Sequence, residues 1–299
     1  MEKGASWMKR NKIQLFDTIN NTILILVALL CVYPFLYTFF IACSDGTFLS
    51  RGEVMFFPKG FNFEAFKYIF QNEELHVFSG LKNSFLYTAA GTVVAVLTTY
   101  VTAYALSRKS VKQRYVIMAL FTATWVFEAG IIPQYIIYSA CGFVNNPLVM
   151  IIPGAINTQF LIICKTYLEG IPYELEEAAV VDGANQFQIL SNVYLPVSKP
   201  ILATIGTFYA INIWNQYLLP QMYLKNEGLQ TIQQVLKSVV ITDGEASTAF
   251  RNIMQNNVLL NQQNLKSAAI FVAMVPIVLV YPFVQKYFKR GILVGSVKG

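Results

Sequence analysis

The chain has 299 residues, is 55% hydrophobic, carries charge on only 13% of its residues and has a mean hydropathy of +0.49. Soluble domains hold about 25% charged residues, so this composition excludes an ordinary soluble protein and describes a polytopic membrane one. The net charge of +6 does not point to nucleic acid, because Lys and Arg cluster beside hydrophobic segments, where anionic lipid and the topology rule explain them.

Six stretches are long enough, at roughly 20 residues each, to cross the hydrocarbon core. They are expected at about 19–42, 84–107, 115–139, 147–167, 201–223 and 267–288. This divides the chain into a segment 1–18, a membrane domain 19–290 and a tail 291–299. The first hydrophobic stretch is too long for a cleavable signal and lacks a small-residue cleavage pattern, so it should remain as an anchor. The stretch from Trp7 to Asn21 mixes basic and apolar residues, which fits an interfacial helix or an unstructured positive tail. The third stretch is interrupted by Glu128, Gly130 and Pro133, a break tolerated only where protein or a water-filled cavity covers it.

Basic residues set the orientation. Lys3, Lys9, Arg10 and Lys12 precede the first stretch; Arg108, Lys109, Lys112 and Arg114 crowd the link between the second and third; Lys286, Lys289, Arg290 and Lys298 follow the sixth. All three groups share one side, so both termini are expected in the cytoplasm of a multi-pass plasma-membrane protein. The loop 169–200 falls on the same side, yet it offers only Lys199, with Lys165 just before it, against Glu169, Glu174, Glu176, Glu177 and Asp182. An acidic segment on that side suits a basic soluble partner better than lipid headgroups.

Within that loop, Glu174 to Val181 should form a short helix, with Pro172 near its first turn and carboxylates complementing the N-terminal dipole. Gly183 is free to take a positive φ and end the run. A second helix, about Phe187 to Val193, should continue until Pro196 stops it. Two short helices with a bend make a compact knob, a docking surface for a soluble partner. The segment 224–266 on the opposite side is too polar for the bilayer. Ile232, Val235, Leu236, Val239 and Val240 lie there at helical spacing, and Asn252 to Asn264 is rich in amides.

The residues suited to a translocation path are Glu128 in the third stretch, Asn157 and Gln159 in the fourth, and Asn212, Trp214, Asn215, Gln216 and Tyr217 in the fifth. Rings stack on the apolar faces of sugars and amides bond their hydroxyls. The same residues also serve as interhelical polar contacts and interfacial anchors. The four cysteines show no metal-ligand spacing, His76 is the sole histidine, and no Gly-rich phosphate loop occurs. The chain therefore carries no nucleotide site of its own.

Glu177-Ala178-Ala179, three residues, Gly183, nine residues and then Val193-Tyr194-Leu195-Pro196 resembles the EAA loop of binding-protein-dependent ABC importer permeases, with Val193 in place of the usual Ile. Asn83-Ser84, Ala103 to Arg108, Gly130 to Pro133, Leu195 to Pro200, Tyr281 to Phe283 and the ending Gly295 to Gly299 resemble the second permease subunit of maltose- and lipooligosaccharide-type importers. The likeness covers the chain from the first stretch to Gly299.

It implies an all-α membrane protein with six transmembrane helices, a type I importer fold and a cytoplasmic coupling loop. It implies a non-catalytic subunit that carries oligosaccharides or related carbohydrates, partnered by a sister permease, two ABC ATPase subunits and an extracellular solute-binding protein. ATP and Mg would be bound by the ATPase, with no cofactor in this chain. Coupling to the ATPase would fall to Glu177, Ala178, Ala179, Asp182, Gly183, Leu195 and Pro196, with Glu177 facing a basic pocket. The outer segment 224–266 would reach the binding protein. Glu128 departs from the small residue expected at its place. The alternative, a stand-alone secondary transporter or channel, predicts paired intramembrane charges or repeated broken helices, and neither is evident. A membrane sensor or scaffold would carry an output domain.

Overall fold

The computed structural model describes residues 2–241 and 259–295, with side chains over 16–240 and 259–280, and among these residues every regular element is helical. The chain groups into two compact units, Met1–Asn72 with Val239–Val272, and Glu73–Ser238 with Ala273–Gly299.

The first unit is built on α1, Glu2–Ala42. Helix continues without a break from Glu2 into the expected span, so residues 2–18 are helical and not an unstructured tail. Its stretch Phe16–Ala42 is strongly apolar, and its most apolar part has no residue buried within the chain, burial beginning only at Ile41 and Ala42. After α1, Asp45 caps the short helix α2, Gly46–Ser50, by accepting from the Thr47 N–H at 2.8 Å. Ile41, Leu49 and Val54 form a small core with Tyr37, Phe40 and Phe48, and α3 is next at Glu64–Gln71.

The last long helix, α13, spans Gln262–Gly295. Just before it, the Leu259 carbonyl accepts from the Gly46 N–H at 2.9 Å. In its first turn, fully buried Asn264 donates to the Ser44 carbonyl at 3.2 Å. Of the amide-rich segment 252–264, residues 252–258 lie outside the described residues, while Asn261 and Asn264 bond within their own unit. The tail 296–299 also lies outside them.

The second unit is organised around α4, Val77–Ser107. Gly91 permits the closest approach along it: a Cβ there would sit 2.8 Å from the Ile213 side chain and 3.2 Å from the Met150 carbonyl. Packed on α4 are α7, Thr158–Glu169, and α10, Leu195–Asn215. Buried Thr99 and Tyr209 share a hydrogen bond of 2.7 Å between α4 and α10, and the Tyr209 hydroxyl also accepts from the Asn157 N–H at 2.9 Å. Apolar residues of all three helices close one core, which includes Tyr104, Leu161, Leu168, Ile189 and Ile205.

The expected spans survive unequally. Among the described residues three helical stretches are long and apolar enough to cross a membrane, Phe16–Ala42, Glu73–Ser107 and Gln262–Val280. The third expected span is two helices, α5 at Arg114–Val126 and α6 at Ile131–Ala140, bent by 115° at the break. Gly130 makes that elbow with φ 78° and ψ 173°, a backbone state open essentially to glycine alone. The fourth is no continuous span: a 3₁₀ turn at Pro147–Met150 leads through turns to α7, whose 12 residues reach only about 18 Å at ~1.5 Å per residue. The fifth starts earlier and ends earlier than expected, because the backbone becomes extended at Gln216 and only the short helix α11, Leu218–Tyr223, comes after it. Helix α10, with 21 residues, has the length of a span.

Beyond α11 the chain returns to the first turns of α4. The Asn83 amide donates to the carbonyls of Gly228 and Gln230, Tyr87 donates to that of Leu229, and the Ser84 hydroxyl accepts from the Ile232 N–H at 2.8 Å. The helix expected over Leu229 to Val240 is present as α12, Ile232–Ile241, with Ile232 and Val235 buried.

Candidate coupling and translocation sites

The knob expected between the fourth and fifth spans is present. Helix α8 covers Glu174–Val181, three of its first residues being glutamates. Gly183 adopts φ 79°. The Ala184 N–H reaches the Ala179 carbonyl at 2.9 Å and the Gly183 N–H reaches that of Val180 at 3.0 Å, the paired bonds of a Schellman end. Two residues later Asn185 opens α9, Gln186–Gln188, with a reciprocal capping box to Gln188. The bend is thus fixed by hydrogen bonds on both sides.

Beyond α9 the expectation for Pro196 is corrected. The chain runs through a π-helical segment, Ile189–Tyr194, directly into α10, so Pro196 lies in the first turn of a continuing helix and stops nothing. The cause is geometric. A proline removes the N–H and clashes with the carbonyl four residues back, and a wider π turn ahead of it relieves both demands.

The deepest polar contact of the knob involves Glu176, which the motif leaves unmarked. Glu176 and Arg108 are both more than nine-tenths buried. The Arg108 guanidinium donates to the Glu176 carboxylate and to the Tyr194 hydroxyl, and Tyr194 donates to the same carboxylate oxygen at 3.0 Å. The guanidinium also sits over the rings of Tyr194 and Tyr104, at 4.3 and 4.9 Å from their centroids. Burial pushes the Tyr194 phenol above its ordinary range, while the hydrogen bond from Arg108 pulls the other way. The end of α4 therefore holds both α8 and the π segment, and the Tyr104 hydroxyl adds a bond to Gln186 at 3.1 Å.

The opposite face of the knob is open. Glu177, Ala178 and Asp182 are exposed, Ala179 is half-buried against the core, and Leu195 and Pro196 are exposed at the start of α10. Beside them stand Val181, 86% exposed, and Phe187, 75% exposed. The expected docking surface is thus apolar as well as acidic. Sequence reasoning missed this half, although apolar residues on a short helix outside the bilayer were a signal.

The residues proposed for a translocation path separate into two sets. Gln159, Asn212 and Asn215 line one open groove of about 620 Å³ together with Gln216, Phe160 and Phe208. The rings of Phe160 and Phe208 stack with centroids 5.5 Å apart. The Gln216 carbonyl oxygen is buried there without a hydrogen-bond partner. No charged side chain is among the residues lining this groove.

The others do not line it. Asn157 caps α7, its side chain accepting from the N–H groups of Gln159 and Phe160. Buried Trp214 donates to the Ala273 carbonyl at 3.2 Å and faces a separate apolar cleft with Pro276 and Ile277. Tyr217 accepts from the Lys237 ammonium, which also lies 4.5 Å from its ring centroid. Glu128 is exposed in the non-helical elbow between α5 and α6.

Comparison with known proteins agrees with this architecture. Residues 113–294 match the family described as binding-protein-dependent transport system inner membrane component. The chain is 36% identical over 290 residues to the polygalacturonan/rhamnogalacturonan transport system permease protein YtcP of Bacillus subtilis, covering 96% of this chain and 100% of that one. It is 34% identical over 286 residues to protein LplC of the same organism, covering 96% of each. Among solved structures, a bacterial ABC transporter involved in the import of the acidic polysaccharide alginate contains a chain with a TM-score of 0.85 and 32% identity, covering 92% of this chain and 97% of that one.

Proposed function

The chain belongs to the binding-protein-dependent transport system inner membrane component family, it is a carbohydrate ABC importer permease subunit with the corresponding fold, and from that premise we propose how it couples and what it carries. Family membership replaces the alternative of a stand-alone secondary transporter or channel. The subunit pairs with a sister permease and two ATPase subunits that bind ATP and Mg, and an extracellular solute-binding protein delivers substrate. The termini and the knob face the cytoplasm, in keeping with the distribution of Lys and Arg.

The observation that carries the coupling reading is the two-faced knob. Its inner face is anchored to α4 through Glu176 and Arg108, and its outer face presents Glu177, Val181 and Phe187. A body fixed on one side and open on the other transmits a push as a rigid displacement. Replacing Glu177 by Lys in the assembled importer should abolish ATP-driven uptake and weaken retention of the ATPase on purification. Normal uptake by Glu177→Lys would remove Glu177 from the coupling surface.

For the substrate, the groove of amides and stacked phenyl rings supports an oligosaccharide whose hydroxyls bond Gln159, Asn212, Asn215 and Gln216. The relatives named for polygalacturonan, rhamnogalacturonan and alginate place acidic polysaccharide fragments first in the panel to be tested. Uptake into proteoliposomes through the cognate binding protein, measured with uronate-containing and neutral oligosaccharides, decides between the two.

A further inference from the structure

The loop between α2 and α3 has an unusual construction. Glu53-Val54-Met55-Phe56-Phe57-Pro58-Lys59 places charges at both ends of an apolar apex. The ends are joined by the Lys59–Glu53 ion pair at 3.0 Å. They are also tied to the C-terminal end of α1, since the Asp45 N–H donates to the Lys59 carbonyl at 3.0 Å and the Lys59 N–H donates to the Ser44 hydroxyl at 3.1 Å. Val54 is buried in the small core beneath.

The apex folds back along α1. The Tyr33 hydroxyl donates to the Met55 carbonyl at 3.2 Å, the Tyr33 and Phe56 rings lie 5.7 Å apart, and the Phe40 and Phe57 rings 6.2 Å apart. At about 1.5 Å per residue, Tyr33 sits ~13 Å along the axis from Ala42, where α1 ends. The apex therefore lies well below the charged neck, at the level of helix turns whose own surface is apolar and exposed.

Met55, Phe56 and Phe57 are 61, 67 and 76% exposed. Three large apolar side chains turned outward beside a helix of this hydropathy need an apolar surrounding. The surface of α1 continues directly into them, with Leu29, Leu36 and Phe35 also exposed.

We propose that the Met55–Phe57 apex is a membrane wedge that inserts into the lipid leaflet at the C-terminal end of α1. The stretch Ile19–Ala42 exceeds the roughly 20 residues that cross the hydrocarbon core, so the apex reaches the boundary between headgroups and acyl chains, the ~5–10 Å depth at which interfacial elements settle. At that level an unpaired backbone carbonyl is costly, and the Tyr33 hydroxyl supplies the partner for Met55. The Lys59–Glu53 pair stays in water and fixes how deep the apex descends.

Photo-crosslinking in the intact importer tests this. Incorporate p-benzoylphenylalanine at Phe56 and, separately, at Phe57, irradiate native membranes, and analyse the adducts by mass spectrometry. Both positions should yield chiefly phospholipid adducts. Adducts chiefly to another protein subunit, or no adduct because the probe faces water, would overturn the wedge. Both probes replace exposed rings, and the α1 anchor is unaltered in either variant. Recovery of the importer at its usual yield shows that the loop folded. If one position loses the complex, the other still reads the surroundings of the same apex.

Discussion

The knob and the groove of the second unit are built on opposite principles. In the knob every bend is satisfied: a Schellman end at Gly183, a capping box at Asn185, and a buried carboxylate held by a guanidinium and a phenol. In the groove Gln159 and Asn212 are exposed, Asn215 is exposed with its amide donating to the Ile211 carbonyl at 2.9 Å, and the Gln216 side-chain oxygen is buried without a partner. A part that transmits force needs one conformation, and internal bonds supply it. A part that passes a hydroxylated substrate needs donors and acceptors left free until the substrate arrives. Polar satisfaction thus separates the proposed coupling surface from the proposed substrate groove within one unit.

The largest effect should come from the buried pair. Removing one member of such a pair strands the other charge and costs about 3–5 kcal/mol. Arg108→Ala should therefore lower the melting temperature of the purified complex sharply and reduce its yield, and Glu176→Ala should do the same. The double variant Arg108→Met with Glu176→Leu should recover most of that loss, since apolar replacements of buried pairs are often close to neutral. Thermal unfolding of the three variants checks this. Equal destabilisation by the double variant would mean that the cluster contributes more than charge compensation.

Gly183 comes next. A Cβ at this position would meet nothing within 4 Å, so the cost of substitution lies in the backbone alone. Holding a β-branched residue at φ 79° costs about 1–2 kcal/mol. Gly183→Val should loosen the bend and reduce ATPase stimulation by substrate-loaded binding protein. Gly183→Asn should be milder, because Asn tolerates the left-handed region. Equal activity of Val and Asn at this position would sever the link between the bend and coupling.

The groove should respond more gently and in a different quantity. Losing one hydrogen bond costs about 0.5–1.5 kcal/mol, or roughly 2–10-fold in affinity. Gln159→Ala and Asn215→Ala should raise the KM for uptake by that factor and leave assembly unchanged. Gln216→Leu sharpens the contrast, because it removes a carbonyl with no partner of its own. It should leave thermal stability unaltered or raised while weakening uptake. A drop in stability with unchanged KM would place Gln216 among the structural residues instead.

How far the sequence disclosed these sites depends on the range of the interactions involved. Helix α8 and the turn at Gly183 arise from local rules, namely helix propensity, acidic first-turn residues and a glycine at the end, and both occur where those rules put them. The π segment before Pro196 is only half local: the proline can be met by a wider turn or by ending the helix, and the turn coincides with the burial of Ile189 and Tyr194 in a core made by distant helices. Glu176 and Glu177 are chemically identical neighbours. Only the arrival of Arg108, 68 residues away, makes one an anchor and leaves the other free. Likewise Trp214 and Asn215 are adjacent, and helical rotation sends them to different surfaces. Asn157 could have been read locally, since an Asn followed by Thr-Gln at the start of an apolar run is a helix-cap signal. The broken fourth span was hidden because hydropathy reports burial in any apolar setting, and α7 achieves it against α4 and α10.

Glu128 should give the smallest effect, and for a reason that bears on the groove. A carboxylate in the middle of a span is expensive and commonly functional, which is why Glu128 in the interrupted third stretch is a candidate for the path. The structure places it in an open elbow between α5 and α6, exposed and outside the groove lining. An exposed carboxylate there has no need of a substrate to satisfy it. Glu128→Gln should therefore leave both KM and assembly within the error of the unmodified importer, while Gln159→Ala shifts KM. Measured side by side with one oligosaccharide, a shift at Glu128 as large as that at Gln159 would extend the path to the elbow and dissolve the distinction between residues that line the groove and those that merely lie near the membrane.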